Sequence, residues 1–156
     1  MHPVTVGALL ALQSFHVLFL ALHDWIPLGT LNDVKGVRAA NSRSKLLAAR
    51  LISLAPFAVG LAASASYFGR AYPNWLYWWL WISYGFLFSG ELEAWWIPYL
   101  FLSQPKRAAR YQLMFGTTHA FLPERNGIRL NTLHVILHAA TVCLLIVLGA
   151  LTTQKS

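Results

Sequence analysis

Three side chains able to take and give protons fall at one depth on three different apolar runs: His16, Glu91 and His138. At a rise of about 1.5 Å per residue, His16 sits roughly 13 Å and His138 roughly 10 Å from the same end of the bundle, with Glu91 in that same half. An ionisable group in hydrocarbon costs at least ~2.5 kcal/mol near a helix centre, so each is a functional candidate. Two imidazoles and a carboxylate are ligand types for zinc or non-haem iron, and His134 with His138 has an i,i+4 chelating spacing. The expected metal set is therefore His16, His134, His138 and Glu91. The H-E-x-x-H pattern is absent, because Val135 follows His134. Without a metal, the carboxylate and an imidazole form an acid–base pair suited to proton movement on an apolar substrate. Trp95, Trp96, Phe86 and Phe88 could face a developing cation with their rings. That combination suits isomerisation or cyclisation of a lipid, with Glu91 as acid or base and His138 and His16 as partners.

Other readings use the same residues. A b-type haem needs axial histidines from different helices at matching depth, which His16 and His138 provide. A proton-coupled transporter needs a polar route through the other half of the bundle. That half offers only Gln13, Ser64, Ser66, Tyr77, Ser83, Tyr84 and Thr141, which argues against a pore within one protomer and leaves an oligomeric one. A structural subunit would use its membrane histidines as interhelical hydrogen-bonding groups, worth ~0.6 kcal/mol each.

A shallower layer holds His23, Asp24, Arg50 and His134. His23 and Asp24 are expected to anchor a helix end at the interface, and Arg50 to snorkel to the lipid surface. Glu93 lies two residues from Glu91, about 200° around a helix, so at most one points squarely inward. Glu91, sharing a face with Trp95 at i+4, is the expected interior carboxylate; Glu93 is expected to reach Arg110 or Arg50. His2 and His119 carry no assigned role.

The elements that must position these groups are long and apolar. Of 156 residues, 57% are hydrophobic and 11% charged, against about 25% charged in soluble domains. The mean hydropathy is +0.52, which excludes a disordered tail, a coiled coil and an ordinary water-soluble enzyme. Cys143 is the single cysteine, so neither a disulfide framework nor a thiolate cluster is available. The net charge of +7 is spread between apolar runs and reads as membrane topology, with lipids as partners and no nucleic acid.

A crossing helix needs about 20 mostly apolar residues. Four runs qualify, at about 4–25, 46–69, 75–102 and 132–152, so the expected fold is all-α: one four-helix transmembrane domain. Pro27, Pro73 and Pro105 limit helix ends, while Pro56 and Pro98 should kink spans and free a carbonyl one turn back. The first run lacks a basic leading segment and a small-x-small site, and so reads as a retained helix. The connections 26–45 and 103–131 carry four and five Lys or Arg in the stretches that count for topology, against Arg70 and Lys155 elsewhere. Both loops are therefore expected in the cytoplasm and both termini outside, in a multi-pass protein of the cell inner membrane. Residues 105–115 have the basic and apolar spacing of an interfacial helix. The stretches LHDWIPLGTLND and GTTHAFLPERNGIRLNTLHVILH are dense in polar, Pro and Gly residues but match no activity.

Overall fold

The computed structural model describes residues 3–153; His2 and Lys155 lie outside them. Within this range the chain is helical, with no strand. The long helices are α1 (Pro3–Leu22), α3 (Arg43–Ser66), α4 (Asn74–Glu91) and α7 (Thr132–Thr153), with shorter α2 (Val34–Ala40), α5 (Ile97–Leu100) and α6 (Pro105–Phe115). Three of the four are long and apolar enough to cross a membrane: α1, α3 and α7, with mean hydropathies of 1.9, 1.9 and 2.4. The expected span at 75–102 is not among them. Its Trp and Tyr rings are large and mostly apolar, but their N–H and O–H groups hold the hydropathy down, and its helix is interrupted.

The four long helices form a closed ring in which α1 packs on α3 and α7, and α4 on α7 and α3. Each neighbour runs antiparallel, as the up-down-up-down connectivity of a four-helix bundle requires. The bundle is apolar outside, and its interior sets a few polar side chains within an apolar core that includes Leu9, Leu80, Leu144 and Leu148. Ile52, Trp78, Phe86 and Ile146 are each more than 60% exposed, whereas Gln13, His16, Glu91, His138 and Thr141 are buried. A water-soluble protein seldom exposes so continuous an apolar surface. Lipid is the solvent that suits it, and the pattern is compatible with a multi-pass membrane protein.

The interruption is a π turn at Leu92–Trp96, ending two residues before Pro98. A wider turn and a proline without an N–H both release carbonyls. These are the oxygens of Glu93 and Ala94, and α6 supplies their donors. Arg107 Nη1 reaches Glu93 O at 2.6 Å and Ala94 O at 3.2 Å, and Tyr111 Oη donates to Ala94 O at 3.0 Å. The basic helix α6 thus closes the backbone of the broken fourth helix. Pro56 lies within the unbroken α3, and there Trp79 Nε1 donates to Pro56 O at 2.9 Å, where Gly60 lets α4 come close: a Cβ there would lie 3.1 Å from Leu80.

The two long connections cap one end of the ring. Val37, Leu46, Trp95, Tyr99, Met114, Phe115, Ile128 and Leu130 give this cap its own apolar core. Asp33 staples it: one carboxylate oxygen caps α2 at Gly36 N–H (2.8 Å) and the other accepts from Thr117 Oγ1 (2.8 Å). The Gly36 amide first, and the Thr117 hydroxyl next, hold this carboxyl below its usual range. Its contribution to stability is therefore present above the ordinary carboxylate value and is lost as pH falls through the lowered one. Asn126, in a left-handed conformation beside Gly127, donates to Pro98 O and Tyr99 O and so closes the end of α5.

Candidate proton-handling site

Thr141, in the middle of α7, joins two of the sequence candidates. Its Oγ1 lies 3.0 Å from His16 Nε2 and 2.8 Å from Glu91 Oε1, with Leu137 O at 3.1 Å. All three side chains are at most 5% exposed. A hydroxyl has one proton to give and two lone pairs, so the three neighbours cannot all accept from it. His16 Nδ1 lies 2.7 Å from Leu12 O, and a carbonyl only accepts, so this nitrogen carries a proton. With one proton shared between Glu91 and His16, two arrangements then satisfy the chain. In one, Glu91 is the carboxylic acid and donates to Thr141, which donates to a bare His16 Nε2. In the other, His16 is an imidazolium and donates to Thr141, which donates to the Glu91 carboxylate. They differ by one proton moved from Glu91 to His16, by two hops along the hydrogen bonds on either side of the Thr141 oxygen.

His138 is one turn from Thr141 but stands apart from this chain. Its Nδ1 receives the indole N–H of Trp96 at 3.0 Å. Indole nitrogen only donates, so Nδ1 must keep its lone pair and the proton of the neutral ring sits on Nε2. Glu91 faces inward, while Glu93 is exposed and makes no ion pair with Arg110 or Arg50. Among the described residues, the ion pairs are those of Asp24 with His23 and Arg50. Arg50 is therefore not a lone snorkelling cation: its Nε donates to Asp24 Oδ2 at 2.8 Å, its Nη2 reaches the same oxygen, and His23 Nε2 lies 3.2 Å from Nη2. The group ties the end of α1 to the start of α3.

His134 lies between these groups, its ring edge-on to His23 at 5.8 Å and to His138 at 6.3 Å. Asn131 Oδ1 accepts both its backbone N–H (2.9 Å) and its Nδ1 (2.6 Å), capping α7, and the ring lies 4.5 Å from Trp95. Trp95 also packs on Tyr111 and Phe115 and stands edge-on to His138 at 6.3 Å. Phe86 points outward, at 77% exposure, and faces no cation in the bundle.

The expected metal set does not converge. Among the described residues no three His, Cys, Asp or Glu side chains are grouped to hold an ion. A haem fits no better, since both ring nitrogens of His16 and one of His138 are already bonded within the protein.

In the sequence Thr141 stands only as a polar liner. A signal was present: it lies seven residues after His134 and three after His138, on one face of α7. Beyond Thr141, buried polar atoms without protein partners run outward along the bundle: Glu91 Oε2, Tyr84 Oη, both Gln13 amide atoms and Ser64 Oγ. The Tyr84 ring sits edge-on to His16 at 5.3 Å.

No family model, no curated protein and no solved structure matches this chain.

Proposed function

We propose that the protein spans the cell inner membrane four times, with α4 through α5 as the aromatic third span, and moves a proton between Glu91 and His16 to isomerise or cyclise a lipophilic molecule. The loop charges favour a cytoplasmic position for the capped end, and hence for the nearer opening of the site. The supporting observation is the Thr141 hydroxyl, held between a carboxyl and an imidazole that together need one proton more than the hydroxyl supplies. Such a pair can protonate one substrate atom and accept a proton from another without net change, which is what an isomerisation requires.

Membranes carrying the wild-type protein or Glu91→Gln, incubated with a total lipid extract, test the activity. Wild type should generate species of unchanged mass and altered chromatographic retention, and Glu91→Gln should not. Identical extracts from the two, with both proteins folded, would overturn the reading. Orientation is tested in a Cys143→Ala background, where Lys35→Cys should react with an impermeant thiol reagent only from the cytoplasmic side. Reaction from outside would invert the map.

A second reading is proton-coupled transport, favoured by the file of unpartnered polar atoms from Glu91 through Tyr84 and Gln13 to Ser64. A proton flux through vesicles that Gln13→Leu abolishes would select it over the enzyme.

A further inference from the structure

Between α7 and the broken helix formed by α4 and the π turn runs a lateral groove of about 460 Å³, open toward the lipid-facing side and lined by Phe88, Leu92, Trp96, Val135, His138 and Val142 among others. Its size is that of a small-molecule site, and almost its whole wall is hydrocarbon or indole. His138 is the exception. It is 4% exposed, and Trp96 holds its Nδ1 as an acceptor, so Nε2–H is the polar group left to offer. We infer that this groove binds a bilayer-dissolved long-chain molecule through a carbonyl oxygen that accepts a hydrogen bond from His138 Nε2–H.

Three features of the groove support that occupant. Trp96 enforces one tautomer, so His138 presents a donor and discriminates an acceptor oxygen from plain hydrocarbon. A donor within a wall this apolar gains most from a partner that water does not supply. The groove also shares its helices with the relay: Phe88 and Leu92 bracket Glu91 in sequence on one, and His138 and Val142 bracket Thr141 on the other. A carbonyl held there would be polarised by His138 Nε2–H. This names the substrate class of the proposed reaction and rests on that reading for the chemistry, though not for binding.

The test uses wild-type protein in phospholipid vesicles and two photoreactive probes, a diazirine-bearing long-chain methyl ketone and the matching alkane. The ketone should label the segments 88–100 and 135–142 on the order of fivefold more than the alkane, the advantage of one net hydrogen bond. His138→Phe should remove the excess and His138→Gln, which retains an N–H donor, should restore part of it. Trp96→Phe, which frees the tautomer, should reduce it as well and serves if His138→Phe does not fold. Thr141→Val should leave labelling unchanged, which separates a failure of the relay from a failure of this site. Equal labelling by the two probes in wild type, an excess that survives both His138→Phe and Trp96→Phe, or exclusion of both probes by a second copy of the chain would overturn the inference.

Discussion

Arg50→Leu should lower the apparent Tm in detergent by about 10 °C, the shift produced by a loss of about 3 kcal/mol in a chain of this size. The reason is what the substitution leaves behind. Asp24 is 5% exposed, and the partners of its carboxylate are Arg50 and His23. A buried charge stripped of its partner costs more than the pair itself contributes. Removing both charges should therefore be milder: Asp24→Leu with Arg50→Leu should recover at least half of the lost Tm, a non-additive result expected for directly bonded groups. An Arg50 that merely reached lipid headgroups would cost about 0.5 kcal/mol when replaced, like an exposed pair, and would show no coupling to Asp24. A thermal melt of the two single variants and the double variant decides between them.

The sequence made the helical class legible because the runs are long, uncharged and punctuated by proline. Glu91, His16 and His138 could be placed at one depth by counting residues at a fixed rise. Pro98 announced a free carbonyl, but nothing local announced that a π turn would precede it or that Arg107 and Tyr111 would supply the donors. Those partners lie 13 to 17 residues away along the chain, and their meeting depends on how α6 folds back. Asp24 and Arg50 were both visible as polar groups near helix ends. Their pairing was not, since it follows from which helices become neighbours. Thr141 escaped for a different reason: a threonine within an apolar helix is ordinary, and only the two groups facing it make its single proton scarce. The cap was hidden because its turns, such as Asn126–Gly127, are legible one by one while the bonds of Asn126 to Pro98 and Tyr99 are not.

The second large effect concerns Thr141. Thr141→Val keeps the shape and deletes the hydroxyl, so exchange of the Glu91 carboxyl proton for deuterium should slow about 100-fold, the usual worth of a positioned proton-transfer group. Thr141→Ser should leave it near the wild-type rate. Infrared spectra of the carboxyl band, with Glu91→Gln as the blank, report the rate without needing a substrate. The relay also requires His16 to sense a residue it does not touch. In Glu91→Gln the amide can donate to Thr141 or accept from it but cannot release a proton, so His16 Nε2 loses the partner with which it would share one. The decisive measurement is the ¹⁵N signal of His16 Nε2, followed through a pH titration in wild type and in folded Glu91→Gln. The expected result is an Nε2 that passes between bare and protonated forms in wild type and stays bare across that same range in Glu91→Gln. An Nε2 that titrates identically in the two proteins would contradict a shared proton and reduce His16, Thr141 and Glu91 to packing partners.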